Sequence, residues 1–191
     1  METMKLEATA RTDIGSAKSR RLRVAGTVPA VVYGYRAETK HISVVPKAVI
    51  AVLGTRRGTN QLVELQIDGK PGPRCIIREV QVHPVRRTLL HVDFCEVSES
   101  RPVTINVPIE IIGRSIAEKA GGKRQQIIRN LNIRCLPQHI PDAITYDVNS
   151  IATATTVHIS DLIMPEGVTA LYRQNYPVVT ISMAGGTADA A

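Results

Sequence analysis

Pro29-Ala-Val-Val-Tyr33 is an apolar run that stops at Gly34, and it is typical of a buried β-strand. Apolar and polar residues alternate over residues 4–10, which predicts another strand upstream of this run. Further along, residues 62–67 and 75–82 are joined across Asp68-Gly69, a dipeptide that favours a hairpin turn. A fifth strand pattern covers residues 91–97. The first half of the chain is therefore rich in strands.

Two short helices accompany these strands. Residues 17–25 follow Ser16, a plausible N-cap, and Gly26 should end the helix, with Leu22 turned into the core. Pro46 opens the second helix, in which Val49, Val52 and Leu53 share one face. For about 97 residues dominated by strands, we expect a small β-barrel with two short helices.

The second half contains short β-rich runs and no clear helix. Prolines and the Gly121-Gly122 pair punctuate it, as in β-sandwiches and β-barrels. The runs are 103–107, 109–112, 127–133, 144–148, 157–159, 168–171 and 178–181. We predict a mainly β protein whose second domain is all β and sandwich-like.

The surplus of positive charge is confined to the first half. Residues 1–97 hold 16 Lys and Arg against 9 Asp and Glu, whereas residues 98–191 hold 8 of each. The polar segment 98–102 ends in proline and suits a linker. We therefore predict a basic domain at 1–97, a β domain at 103–183 and a flexible tail at 184–191, and only the first domain is expected to meet a polyanion.

Composition argues against several other classes of protein. With one Phe, five Tyr and no Trp, the chain is ill suited to stack single-stranded bases. The longest apolar candidate, 44–53, is too short to span a membrane, and the first residues do not resemble a signal peptide. Three widely spaced cysteines fit a reducing compartment and predict no metal site. A cytoplasmic location is expected.

Residues 18–23 form a basic segment on the first predicted helix. Arg20, Arg21 and Arg23 lie there, and Arg11 precedes them. Guanidinium groups bond phosphates or base edges in a forked geometry, so the segment favours nucleic-acid binding. A merely solvated basic face is the alternative.

His91-Val-Asp-Phe94 places two polar side chains on one face of a strand. Because strand side chains alternate, Val92 and Phe94 should point into the core while His91 and Asp93 share the outer face. The carboxylate of Asp93 could accept hydrogen bonds from guanine or ribose. A hydrolase using both residues is one alternative, although neighbours on one strand seldom bond each other as a triad requires. The simplest alternative is an exposed polar face on an edge strand.

Tyr33 ends the apolar strand, and Gly34 permits a close approach or a tight bend. The phenol could hydrogen-bond a phosphate or a sugar, or only mark the wet end of the core.

Several longer segments carry a resemblance to a known family. They include SRRLRVAGTVPAVVYG at 19–34 and VQVHPVRRTLLHVDF at 80–94. Together with Arg11 and Gly15, the further segments are 107–113, 120–122, 140–148, 158–162 and 165–168. In this order they resemble the bacterial 5S-rRNA-binding proteins of the large ribosomal subunit, the L-twenty-five family, in its longer two-domain form called Ctc.

The resemblance implies a structural ribosomal protein rather than an enzyme, with no cofactor, metal, small-molecule substrate or membrane partner. Its barrel should bind the loop-E region of 5S rRNA. The family's RNA contacts fall on Arg11, Arg23, Tyr33, His91 and Asp93, with Arg20 and Arg21 as supporting contacts. The chain should be a monomer within the ribosome, and its second domain could contact neighbouring large-subunit components. An RNA-binding stress factor acting off the ribosome is the alternative function.

Overall fold

The computed structural model describes residues 3–34, 39–149, 151 and 155–182. The chain forms two compact units, Met1–Val103 with Leu136–Gln138 and Thr104–Cys135 with His139–Ala191. The domain limits expected from the sequence, with a linker at 98–102, stay predictions. The tail expected at 184–191 lies outside the described residues.

The first unit is a closed six-stranded β-barrel, which confirms the predicted fold class. Its strands are β1 (Met4–Ala10), β2 (Val28–Tyr33), β3 (Lys40–Val44), β4 (Val63–Ile67), β5 (Lys70–Val82) and β6 (Leu89–Glu96). Around the barrel their order is β1-β3-β2-β6-β5-β4. The pairs β1–β4 and β2–β6 are parallel, and the other pairs are antiparallel.

Alternation along the strands fills the barrel with aliphatic side chains around one phenylalanine. Val92 and Phe94 are fully buried, as predicted, and Leu6 and Ala8 of β1 join the same core. Between β4 and β5, Asp68 and Gly69 both adopt positive φ angles of 51° and 74°, as a tight hairpin turn requires. The predicted hairpin is confirmed.

Strand β3 was not expected from the sequence. No element had been predicted for residues 40–44, although Ile42 and Val44 alternate with polar residues and are buried. Because β3 lies between β1 and β2, it closes the barrel on one side.

Two helices accompany the barrel, α1 (Ser16–Val24) and α2 (Pro46–Leu53). In α2, Pro46 is the first residue and Val49 and Val52 are buried, as predicted. In α1 the predicted N-cap was wrong: Gly15, at φ 120°, holds the cap position, and Ser16 begins the helix. Leu22 is half-buried against a surface cleft rather than in the core.

The second unit is mainly β. Its elements are β7 (Val103–Ile112), α3 (Ile116–Lys119), β8 (Lys123–Gln126), β9 (Asn130–Cys135), β10 (Ile144–Asp147), β11 (Thr155–His158), β12 (Val168–Ala170) and β13 (Pro177–Ser182). The sheets have the orders β10-β7-β9-β12 and β11-β13-β8.

Two local features of the second unit differ from the prediction. Strand β7 runs through Pro108 instead of stopping there, and the next N–H, that of Ile109, donates to the carbonyl oxygen of Arg129 at 2.8 Å. The one-turn helix α3 was not expected either. Ser115 and Glu118 form a reciprocal capping box that stabilises so short a helix.

Candidate nucleic-acid interface

The outer face of β3, β2, β6 and β5 carries three of the seven predicted site residues, Tyr33, His91 and Asp93. In this part of the barrel His41 pairs with Val31, Val31 with Asp93, and Asp93 with Glu79. The four residues therefore form a row across the strands, with their side chains directed away from the barrel core. Polar groups far apart in the sequence meet on one surface.

His91 and Asp93 form a direct hydrogen bond on this face. The distance from Nδ1 of His91 to Oδ1 of Asp93 is 2.6 Å, and the side chains are 22% and 28% exposed. A neutral-pH carboxylate cannot donate, so Nδ1 carries the proton and Nε2 stays available to a ligand. The expectation that these two neighbours would not bond each other was wrong. Both side chains lie on the same face of β6 and are partly buried.

Tyr33 lies at the end of β2, where its backbone pairs with Cys95. Burial raises the pKa of the Tyr33 phenol, and the nearby carboxylate of Asp93 raises it further. At neutral pH the phenol is therefore a hydrogen-bond donor. A side chain at Gly34 would place its Cβ 2.4 Å from Cβ of Glu96, so the close approach predicted for this glycine is present.

Arg11 follows β1 and lies beside His41. Its backbone N–H donates to the carbonyl oxygen of His41 at 2.9 Å. Nε of Arg11 and Nδ1 of His41 are both buried, and neither has a hydrogen-bond partner among the described residues. Burial lowers the pKa of the Arg11 guanidinium, and the positive charge of Arg23 lowers it further. Buried polar atoms without partners are costly, so this corner is suited to accept a ligand or water.

Helix α1 contributes the remaining arginines. Nε of Arg23 donates to the carbonyl oxygen of Leu90 at 3.0 Å, which holds the end of α1 against β6 next to His91. Arg21 and Arg11 line a cleft of about 490 Å³ between α1 and the end of β1, where Lys18 and Asp13 form an ion pair. Arg20 is exposed on the helix surface.

Sequence reasoning missed three charged or polar residues that lie close to this set. His41 has no candidate partner nearby in the sequence, and Arg11, from whose backbone N–H it accepts a hydrogen bond, is 30 positions away. Arg78 lies at an irregularity in the β5–β6 pairing, and its positive charge favours the ionised forms of Tyr33 and Cys95. Glu79 is opposite Asp93. The alternating pattern of residues 40–44 was the only local signal that could have indicated His41.

The arrangement combines hydrogen-bond donors with two neighbouring carboxylates, those of Asp93 and Glu79. The imidazole of His91 bonds the carboxylate of Asp93, and the phenol of Tyr33 lies close enough to be affected by both Asp93 and Arg78. Such a set can bond phosphates, ribose hydroxyls and base edges together. Among the described residues, no cluster of His, Cys, Asp and Glu could hold a metal ion, and no helix is long and apolar enough to cross a membrane.

Two family models match the chain over its two halves. The Ribosomal L25p family matches residues 6–94, and the model described as ribosomal protein TL5, C-terminal domain, matches residues 102–184.

Similar proteins share most of the chain. The large ribosomal subunit protein bL25 of Sorangium cellulosum is 36% identical over 182 residues, which cover 95% of this chain and 80% of the relative. The protein of the same name from Syntrophotalea carbinolica is 35% identical over 190 residues, covering 99% of this chain and 90% of the relative. That from Syntrophobacter fumaroxidans is 38% identical over 162 residues, covering 83% and 81%.

Proposed function

The chain belongs to the bacterial L25 family of ribosomal proteins, and we propose that it serves as a structural component of the large ribosomal subunit that binds 5S rRNA in the loop-E region. Members of this family are structural proteins and not enzymes, so the hydrolase alternative is set aside. Membership carries with it the ribosomal, cytoplasmic location expected from the sequence.

One observation supports specific RNA recognition above all others. The carboxylate of Asp93 is hydrogen-bonded to His91 and lies near Tyr33, in the half of the chain that carries the surplus positive charge. A surface that only attracted phosphates would gain nothing from a carboxylate, which repels them. An acceptor in this position is useful against the amino group of a guanine or against a ribose hydroxyl.

The geometry suits a structured RNA more than a single strand. A-form RNA displays a wide, shallow minor groove with ribose hydroxyls, and non-canonical pairs expose further base edges. On the described strands β3, β2, β6 and β5, Phe94 is buried and Tyr33 is the one aromatic side chain on the outer face, so this face offers no row of aromatic rings for stacking bases. Loop E, a run of non-canonical pairs, offers the edges that such a surface can reach.

We assign the seven predicted residues distinct roles. Asp93 accepts from a base or ribose, and His91 presents Nε2 beside it. Tyr33 donates through its phenol. Arg11 and Arg23 bind phosphates or base edges, and they lie close enough to interact electrostatically. Arg20 and Arg21 on α1 add phosphate contacts, and His41 extends the surface next to Arg11.

The partners of the protein follow from this role. It would act as a monomer within the ribosome, with 5S rRNA on the first unit and neighbouring large-subunit components elsewhere. No charge excess marks the second half, where 8 basic residues balance 8 acidic ones. We therefore assign to the second unit contacts with ribosomal neighbours rather than the main RNA affinity.

The test is the identity and affinity of the bound RNA. We expect the purified chain to retain 5S rRNA from its host and to bind a loop-E fragment far more tightly than a random duplex at one fixed salt concentration. Equal affinity for both RNAs would contradict loop-E recognition. Retention of other RNAs in place of 5S rRNA would favour the alternative of a stress factor acting off the ribosome.

A further inference from the structure

The loop between β5 and β6 is a short, tightly held turn. The N–H of His83 donates to the carbonyl oxygen of Thr88 at 2.8 Å, and the N–H of Arg87 donates to that of His83 at 2.9 Å. Nδ1 of His83 accepts from the N–H groups of Val85 and Arg86 at 3.2 and 3.1 Å. One side chain therefore satisfies two backbone donors, and the loop presents its tip in a single conformation.

Two arginines stand at this tip. Arg86 and Arg87 are exposed, and Arg87 has a φ of 57°, in the left-handed region that non-glycine residues rarely adopt. The turn thus accepts backbone strain at a residue whose long basic side chain is turned to solvent. Strain of this kind is found most often where a side chain has to be presented to a ligand.

The tip borders a cleft of about 550 Å³ that also reaches α1 and α2. Arg23, Arg86, Arg87 and His83 line it, together with aliphatic residues such as Val24 and Ile50, and no acidic residue is among those lining it. Val24 is 90% exposed and Ile50 is 57% exposed. The cleft is therefore basic with aliphatic walls.

Arg23 connects this cleft with the proposed loop-E surface. Its Nε is held by the carbonyl oxygen of Leu90, the residue before His91, and its side chain also lines the cleft. The two surfaces are continuous through one guanidinium group. An RNA helix lying on the strand face could thus continue past Arg23 towards Arg86 and Arg87.

We propose that the β5–β6 tip is a second RNA contact, in which Arg86 and Arg87 bind the phosphate backbone of the segment that flanks loop E. This proposal rests on the proposed function and names a further part of its footprint. Three arginines without a carboxylate match a phosphate backbone, and the aliphatic walls can lie against ribose edges. His83 is a positioning residue that holds the two arginines in place.

The test compares two double variants of the full chain. Arg86→Ala/Arg87→Ala removes the tip charges, and Arg129→Ala/Arg134→Ala removes the same charge from exposed positions of the second unit. On intact 5S rRNA we expect the tip variant to lose about tenfold in affinity and its salt slope to fall by about two, one for each phosphate contact. The control should keep both values. On a fragment limited to loop E, both variants should bind as the unaltered chain does.

Several outcomes would overturn the proposal. If the tip variant kept its affinity and salt slope on intact 5S rRNA, a phosphate contact at the β5–β6 tip would be excluded. If that variant was nevertheless poorly incorporated into ribosomes, the tip would contact a protein partner instead. Equal losses in both double variants would indicate nonspecific charge. If the unaltered chain failed to bind the loop-E fragment, the proposed function would fail independently of this comparison.

Variants of His83 test the positioning role separately. His83→Ala should weaken binding to intact 5S rRNA, whereas His83→Asn should restore it, because the side-chain oxygen can accept the same backbone N–H groups. Thermal unfolding of both variants checks that the barrel stays folded. Equal losses in the two variants would overturn the role assigned to His83.

Discussion

Nδ1 of His91 lies 2.6 Å from Oδ1 of Asp93, although the two residues belong to the same strand and are separated by one buried valine. The bond orients the imidazole through Nδ1 and engages one oxygen of the Asp93 carboxylate. It joins a donor and an acceptor in one rigid unit. Such a unit can discriminate between RNA edges, which a group of arginines alone does poorly.

Asp93→Asn separates recognition from simple charge attraction. The amide keeps an oxygen for His91 but loses the negative charge and one acceptor. If Asp93 accepts from a guanine or a ribose, loop-E binding should weaken by about 1–3 kcal/mol, with little effect on a random duplex. Affinities of the variant for both RNAs at one salt concentration provide the measurement. Tighter binding to both would mean that the carboxylate only repels phosphate.

Arg23→Ala should weaken 5S rRNA binding by about 1–3 kcal/mol and lower the salt slope by about one, because Arg23 lies beside both His91 and Arg11. Arg173→Ala is the matched control, since Arg173 is also exposed but belongs to the second unit. Filter binding over a series of salt concentrations measures both quantities. Equal losses for the two variants would indicate nonspecific electrostatics.

A fragment of residues 1–97 should bind 5S rRNA nearly as well as the full chain. All six strands of the closed barrel and its core cluster lie between Met4 and Glu96, so the fragment retains a complete core. Circular dichroism should first establish that the fragment is folded, and gel shifts then compare the affinities. If residues 98–191 carried most of the affinity instead, the assignment of RNA binding to the first unit would be wrong.

Cys95 offers a chemical probe of the proposed surface. It is half-buried opposite Tyr33, whereas Cys75 and Cys135 are buried, and burial raises the pKa of all three thiols. Because the thiolate is the reactive form, the folded chain at pH 8 should react with a disulfide reagent more slowly than the unfolded chain. Saturating loop-E RNA should slow Cys95 further. An unchanged rate would argue against an RNA footprint beside Tyr33.

Gly34→Ala should destabilise the barrel by about 1–3 kcal/mol, because the new Cβ would lie 2.4 Å from Cβ of Glu96 and the β2–β6 contact would have to open. Gly54→Ala is the control, since the atom nearest to its new Cβ, the carbonyl oxygen of Ile50, would be 3.4 Å away. Denaturant unfolding measures both changes. A stability equal to that of the control would mean that the strands separate at little cost.

Local patterns were sufficient for most secondary structure. Apolar alternation predicted β1 and β6, Asp68-Gly69 predicted the hairpin, and Pro46 and Gly26 marked helix ends. Each of these signals depends on a few neighbouring residues, so it can be recognised without knowing how the rest of the chain folds. Two predictions failed for equally local reasons. The N-cap of α1 is Gly15 and not Ser16, and helix α3, which was not predicted, is stabilised by a capping box.

By itself, the sequence determined that the chain is mainly β, that the surplus positive charge lies in the first half and that His91 and Asp93 share the face opposite Phe94. Only the tertiary structure decided that Arg11 meets His41, that Arg23 bonds Leu90 and that the tip arginines share a cleft with Arg23. Parallel pairing of β2 with β6 joins segments about 60 residues apart, and the closure of the barrel determines which residues of the two strands are paired. The periodicity of a sequence indicates on which face of a strand a side chain lies, but only the folded chain determines which residues of other strands lie next to it.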